Sequence, residues 1–413
     1  MYRIKNVNWI NLEEKKIEIK DIHIPGTVDL TIDGTGKYLM PGLVDMHTHI
    51  TPASARHYLY SGVTSVRNTG GNFDLIHSID RVSPKIYATY RFIDGDPGLW
   101  GPTSYGNIST NDTEQAAEAV DELYEQKARF VKVYGNIQEN ILKIVTDKSR
   151  SYNLEAAGDF LQSKSIDALK AARYGVTWLE HASGIIQSLY PDFHPNMPIE
   201  QFDALRAQEV DEDKLTGVLK SLIDQDVKIV PTLSLYAHLS KKGRSFNGEA
   251  LSDSKQLQLF DNEEVFTVNR QFLEIETYLD SDFMEKQAWQ LKMVKKITKK
   301  YLALCGEVYI GTDAPAGTWV YPGLSMIEEL NEFKSLGLNA YEVLYKATVE
   351  ARKVTGEDDG YILLNENPIE HFENILNIES VFVSGKHFTH TEIAGHRIDA
   401  EKMHLLIDEI TNQ

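Results

Sequence analysis

The chain has 413 residues, 42% hydrophobic and 25% charged, the balance of a globular protein with room for a sizeable core. Its 61 acidic residues against 42 Lys and Arg give a formal charge of −19, which argues against nucleic acid or an anionic membrane as the main partner. The single cysteine, Cys305, excludes an intramolecular disulfide framework and any Cys-rich zinc site, and no apolar run approaches the ~18 residues of a membrane span.

The first stretches, MYRIKNVNWI, KKIEIKDIHI and VDLTID, read as short strands separated by the turn-like NLEE, PG and DGTG. They carry no apolar core of the signal-peptide kind, so a cytoplasmic location is expected. From residue 43 the texture changes. Short apolar runs recur with amphipathic stretches between them: LVDMHTHI, VTSVRN, KIYATY, RFVKVY, LEAAGDF, VTWLEHA, KIVPTLS and VYIGTDA. The intervening DTEQAAEAVDELYEQ and KSIDALKAARYG place apolar residues at helical spacing. Strands alternating with helices imply parallel pairing, and the number of units fits an α/β fold of the (β/α)₈ TIM-barrel type. A doubly wound open sheet is the competitor.

Between LSLYAHLS and VYIGTDA lie about seventy residues, too many for an ordinary connection. FDNEEVFTVNRQFLEIETYL and FMEKQAWQLKMVKKITKKYLALC within it read as long helices, an elaborated final layer or a lid over the mouth. Strand texture returns in GYILLNE and IESVFVSGKHF, followed by a C-terminal helix. The predicted organisation is a small β-sandwich domain from both termini, residues 1–42 and 359–413, around a barrel over 43–358.

Polar residues interrupt the apolar runs at particular places. In a strand, i and i+2 point to one face, so His47 and His49 project together near the C-terminal mouth of the barrel. Paired imidazoles in an apolar run pack poorly and ligate metals well; two satisfied core histidines are the bland alternative. Lys132 stands in FVKVY, where an ammonium is costly unless paired or neutralised. It is open to being a base of low pKa, an ion-pair partner of Glu180 or Asp313, or a carbamate formed with CO₂. His181 ends the sixth run and Asp313 the eighth, and residues at the C-terminal ends of different barrel strands converge on one site.

These stretches resemble the metal-dependent amidohydrolase superfamily, nearest to its imidazolonepropionase-like and Xaa-Pro or Xaa-Arg dipeptidase-like branch. The matching segments are GKYLMPGLVDMHTHI (36–50), GVTSVRNTGG (62–71), FVKVYG (130–135), ALKAARYGVTWLEHASG (168–184) and VPTL (230–233). GTDAPAG (311–317), PGLSMIEEL (322–330), ATVEARKVTG (347–356) and the tail NENPIEHFENILNIESVFVSGK (365–386) complete the set, in order along nearly the whole chain. The resemblance implies that His47, His49 and Asp313 hold a first divalent metal, and that Lys132, as a carbamate, bridges to a second bound by His181.

Two departures accompany it. The family has a further histidine at the end of the fifth strand, and counting back roughly fifteen residues from Gly175 reaches Phe160 or Leu161. No histidine occurs between Lys132 and His181. With that ligand missing, one tightly held metal per chain is expected in place of two, unless Asp159, Glu155 or Gln162 turns inward as an oxygen ligand. The small domain is also abridged, since GEDDGYILLNENP and IHIPGTVDLTIDG skip strands that relatives carry.

The expected chemistry is hydrolysis of an amide-type C–N bond in a small-molecule peptide, N-acyl amino acid or cyclic amide, with zinc the leading metal. A metal so held lowers the pKa of water and polarises a scissile carbonyl. Asp313 would act as general base and then acid, and His181 would bond the developing oxyanion. Tyr134 and Arg67, near strand ends, are candidates to orient a substrate carboxylate, with packing or an ion pair the alternative. The competing functions are a catalytically impaired fold that binds a metal or small ligand, and a heterocycle deaminase. Homo-oligomerisation is open.

Overall fold

In the computed structural model, which describes residues 1–99, 106–241, 277, 279–317, 319–356 and 360–396, the chain opens with four strands. These are β1 (Tyr2–Asn11), β2 (Lys16–Ile24), β3 (Leu30–Asp33) and β4 (Tyr38–Pro41). β1 alternates, with Tyr2 and Ile4 buried against exposed Arg3 and Lys5. Its pairing with β2 then slips between Ile4 and Val7, where Asn6 sits at φ 54°, so that Val7 follows Ile4 into the core.

Nine strands follow in the middle of the chain. They are β5 (Leu43–Thr48), β6 (Val63–Asn68), β7 (Lys85–Ala88), β8 (Phe92–Asp94), β9 (Asn107–Ser109), β10 (Phe130–Tyr134), β11 (Glu155–Asp159), β12 (Trp178–Glu180) and β13 (Lys228–Val230). All their pairings are parallel, in a three-stranded sheet β5-β6-β7 and a six-stranded sheet β13-β12-β11-β10-β8-β9. Sequence reading finds seven of the nine; β8 and β9 are three-residue strands, too short to carry a periodic signal.

The last expected run, VYIGTDA, forms no ladder of its own and is tied on both sides by single contacts. Bridges join Ile229 to Val308 and Thr48 to Ala314. Backbone bonds run from Tyr309 N to the Ile229 carbonyl (2.9 Å), from Met46 N to the Ile310 carbonyl (3.0 Å) and from Asp313 N to the His47 carbonyl (2.7 Å). Between the two sheets, Arg129 N donates to the Ala88 carbonyl at 2.8 Å.

Helices separate the strands. Thr113–Glu125 begins at Asp112, whose side chain accepts from the amides of Glu114 and Gln115, and buries Ala116, Ala119, Val120 and Leu123 on one stripe. Ala168–Tyr174 is capped by Asp167 and stopped by Gly175 at φ 101°, a left-handed turn that glycine takes without strain. It begins four residues later than the helical pattern in KSIDALKAARYG, because the Asp167 cap wins over the preceding turn. In the long insertion, Ser281–Ala303 is the second expected helix and packs on Leu233–Leu239. The first, over 260–279, lies outside the described residues apart from 277 and 279, as does the final stretch 397–413. Among the described residues no helix is long and apolar enough to cross a membrane.

Three strands close the chain, β14 (Tyr361–Leu364), β15 (Ile378–Val383) and β16 (Lys386–Thr389). They join the N-terminal strands in one seven-stranded mixed sheet, order β16-β15-β14-β4-β1-β2 with β3 also on β1. Its core is Tyr2, Ile4, Val7, Ile24, Leu39, Leu363 and Phe382, drawn from both termini. β4, the strand through which the ends meet, lies in GKYLMPG, between the last N-terminal run and the first barrel run, where the sequence pattern assigns no strand.

Candidate metal centre

The parallel strands separate their side chains into two sets. Val131, Val133 and Leu179 pack outward in the large core shared with the helices, while Phe130, Ala157 and Trp178 form an inner cluster with Val44, Met46, Val230 and Tyr309. By alternation Lys132 and Tyr134 share the inner face with Phe130, Asp159 with Ala157, Glu180 with Trp178, and Arg67 stands over the Phe130 and Trp178 rings (4.0 and 4.3 Å to the centroids). β5 breaks the rule usefully. Its register with β6 shifts between Asp45 and Thr48, and within that irregular stretch His47 joins Met46 on the inside.

Three imidazoles then meet one carboxylate. His47 Nε2 and His49 Nε2 lie 3.0 and 3.1 Å from Asp313 Oδ1, and His181 Nε2 lies 3.9 Å from Asp313 Oδ2. Each ring has an acceptor behind its other nitrogen: Glu180 Oε2 at 2.7 Å from His47 Nδ1, the Gly70 carbonyl at 3.3 Å from His49 Nδ1, and Thr232 Oγ1 at 2.7 Å from His181 Nδ1. An Nδ1–H held from outside leaves the Nε2 lone pair facing the centre, which is how proteins prepare histidine ligands. Asp313 Oδ1 is buried, and among the described residues nothing meets it at hydrogen-bonding geometry, although two ring nitrogens crowd it. Ligand atoms of His47, His181 and Asp313 all lie within 4.8 Å of one another, a span that one ion can bridge. This donor set fits a divalent metal.

The backbone is bent to reach this arrangement. His181, Thr232 and Asp313 adopt φ of 59°, 46° and 67°, left-handed values unusual for residues with side chains. All three lie at the ends of parallel runs, and such strain gathers where a site over-determines the chain.

Beneath the rings lies a buried charge network. Arg67 Nη1 donates to Glu180 Oε1 (2.9 Å) and to the Met46 carbonyl (3.2 Å). Burial would raise the Glu180 carboxyl, but Arg67, Lys132 and His47 outweigh it and hold it well below the usual carboxylate range. Asp313 is likewise opposed by burial and held well below that range by His47 and His181. Burial also works to lower His47, yet Glu180 and Asp313 keep it above the usual imidazole value. In His181 burial wins and the ring is held low. Lys132 is lowered by burial against the pull of Glu180, Asp159 and Asp313, which favours its neutral amine. Asp45, buried within β5, is pushed up to about 6 by that burial while accepting from Thr312 N and Oγ1 and from His47 N.

Not every expected site residue has the expected place. Arg67 is 1% exposed, sandwiched between two rings and paired with Glu180, so its guanidinium has no open face for a substrate carboxylate. The ion-pair alternative describes it. Tyr134 is half-buried at the end of β10, its ring 4.9 Å from Phe92 and 5.8 Å from Lys132 Nζ. Sequence reading brings in Glu180 only as a partner for Lys132, although a charge inside an apolar parallel strand is as conspicuous at one position as at the other. Thr232 and Gly70 carry no such signal, because a backing acceptor is defined by where the neighbouring ring falls.

No protein-family profile matches the chain. Among curated proteins, a 5'-deoxyadenosine deaminase from Methanothermobacter thermautotrophicus is 27% identical over 162 residues, 32% of this chain and 35% of that protein. The chain thus spans about a third of the curated relative it matches. Solved structures match over much greater lengths. A Xaa-Pro dipeptidase with bound methionine has TM-score 0.63 at 17% identity, covering 94% of this chain and 99% of that one. Bottromycin amidohydrolase has TM-score 0.66 at 16% identity, covering 95% and 87%. Ochratoxinase from A. niger has TM-score 0.62 at 16% identity, covering 94% and 95%. At this identity the likeness is one of architecture, and it agrees with the resemblance carried by the sequence motifs: the chain has the fold of the amidohydrolase superfamily.

Proposed function

We propose that the protein is a metal-dependent hydrolase of amide-type C–N bonds in a small peptide, N-acyl amino acid or cyclic amide. The observation that carries this reading is the convergence of three outwardly backed imidazoles on Asp313. His47, His49 and Asp313 hold a divalent ion, zinc in the first instance, with His181 and Lys132 beside it. When bound, that ion supplies Lewis acidity to a scissile carbonyl and to water. Asp313, kept ionised by its neighbours, accepts the proton of the attacking water and returns it to the leaving amine. His181, kept neutral by burial and fixed by Thr232, presents one nitrogen to the reacting centre. Tyr134 stands at the strand end where a substrate enters, and is assigned to its positioning. Lys132, whose ammonium burial disfavours, is the group open to carbamylation.

In this reading β5, β6, β7, β10, β11, β12, β13 and the 307–314 segment make the eight strands of one (β/α)₈ barrel, seamed by Arg129–Ala88 and by the contacts around 307–314. The strands within residues 1–42 and 360–396 form the small β-sandwich domain.

The test is a panel of dipeptides, N-acyl amino acids, lactams and nucleosides offered to zinc- and manganese-loaded protein, with Asp313→Asn as control. Amide turnover abolished by Asp313→Asn is the expected result. Absence of amide turnover by metal-loaded protein overturns it. Ammonia release from the nucleosides would select the second reading, deamination, which the partial likeness to a 5'-deoxyadenosine deaminase favours.

A further inference from the structure

β11, the fifth of the expected barrel runs, lacks the histidine that the family resemblance implies there, and its last residue is Asp159. Glu155, Ala157 and Asp159 share the inward parity of β11, at three depths. Glu155, at the lower end, is taken by Lys228 Nζ and Trp178 Nε1, both at 2.8 Å. Gln162 lies beyond the strand, its Oε1 accepting from Asn196 Nδ2 at 3.2 Å. Only Asp159 of the three turns into the centre: it is 3% exposed, and its Oδ2 lies 3.5 Å from His181 Nε2. Its Oδ1 accepts the Leu161 amide at 3.0 Å, which fixes the carboxylate and leaves Oδ2 directed at the ring.

His181 Nε2 therefore faces two carboxylate oxygens, Asp159 Oδ2 at 3.5 Å and Asp313 Oδ2 at 3.9 Å, while Thr232 occupies its other nitrogen. We propose that Asp159 replaces the missing imidazole and completes a second divalent-cation site with His181 and Asp313. The proposal rests on the metal centre described above and adds a second position to it. The expectation of a single metal followed from a shortage of ligands, and Asp159 removes that premise. One nitrogen and two carboxylate oxygens make this position harder and weaker than the first, so a single equivalent of zinc goes to His47 and His49 and leaves this position open to Mn²⁺. The occupants of the two positions then differ in chemistry, with Asp313 shared between them.

The experiment is metal binding by the full chain, read without reference to turnover. Protein is stripped with chelator, loaded with one equivalent of zinc, and titrated with Mn²⁺ by electron paramagnetic resonance, with elemental analysis after desalting. Wild type is expected to take one zinc and one manganese. Asp159→Asn is expected to keep the first and to bind the second about 10- to 100-fold more weakly, the usual effect of losing a metal-site carboxylate partner or ligand. Asp159→His is expected to hold two zinc ions, a gain that misfolding cannot imitate. Thermal melts of the stripped variants check that each is folded. A wild type that stops at one equivalent, or an Asp159→Asn protein that binds the second as tightly as wild type, overturns the proposal and leaves the first site standing. A wild type that binds no metal at all overturns the underlying hydrolase reading as well.

Discussion

Arg67 and Glu180 face each other at 2.9 Å with 1% and 0% of their side chains exposed, an ion pair sealed beneath the histidine cluster. Two charges in such a place are tolerated because each is satisfied by the other and by a further group, Met46 and His47 respectively. Breaking a buried pair from one side strands the other charge. Arg67→Met is therefore expected to lower the unfolding free energy of the metal-free protein by ~3–5 kcal/mol, and Arg67→Met with Glu180→Leu to recover much of the loss. Urea denaturation of the three proteins checks it. A single variant as stable as wild type would show that the pair is solvated in solution.

His47 depends on Glu180 for its orientation. Glu180→Gln can still accept from Nδ1 through its amide oxygen but loses the charge, and metal affinity is expected to fall by about 10- to 100-fold. His47→Ala with His49→Ala is expected to abolish bound metal altogether, by elemental analysis of desalted protein. Unchanged metal content in that double variant would remove these residues from the centre.

The same network sets a pH dependence for the metal-free protein. Glu180 is held below its usual 4.5, so its contribution is complete above about pH 4.5 and is lost as pH falls through the lower folded value. His47 is held above its usual 6.5, so its contribution is complete below about pH 6.5 and is lost as pH rises through the higher folded value. Stability should thus fall at both ends. Glu180→Gln should flatten the acid limb and His47→Gln the alkaline one, measured as urea midpoints from pH 3 to 9. Each tenfold difference in proton affinity between folded and unfolded chain is worth about 1.4 kcal/mol on that scale. Metal affinity of the wild type should rise over the same alkaline window, because the ion competes with the His47 proton.

Lys132 offers a covalent readout. Burial lowers the Lys132 ammonium from its usual value and so raises the share of neutral amine, the form that reacts with CO₂. Reconstitution with divalent metal in ¹³C-bicarbonate is expected to produce a carbamate resonance in wild type and none in Lys132→Met. Identical spectra from the two proteins would leave Lys132 as an unmodified amine.

Much of this architecture is legible in the linear sequence, and the reasons differ by element. The first-strand histidines and Lys132 are conspicuous because polar groups in apolar runs have few tolerable explanations. The helix Thr113–Glu125 is plain from its stripe of Ala116, Ala119, Val120 and Leu123 and its Asp112 cap. β8 and β9 are hidden because three residues carry no period. Arg67 misleads because its strand-end position says nothing about which neighbours claim the guanidinium; the Phe130 and Trp178 rings that enclose it come from strands far along the chain. Asp159 is ambiguous for a similar reason. Three oxygen-bearing residues lie along or just past one strand, and only the bonds of Glu155 to Lys228 and of Gln162 to Asn196 reveal which one is free to turn into the centre.

The ties around 307–314 have a consequence for how the protein is made. Asp45 accepts from the Thr312 amide and hydroxyl across a separation of 267 residues, and Asp313 meets His47 in the same seam. Loop closure of that length is entropically late, and contacts of such high order are formed after local ones. The ligand set is therefore incomplete until the first and last parallel segments have docked. The histidines of β5 are made long before Asp313, so the donor set proposed to hold a metal comes together only once the segment through Asp313 has docked.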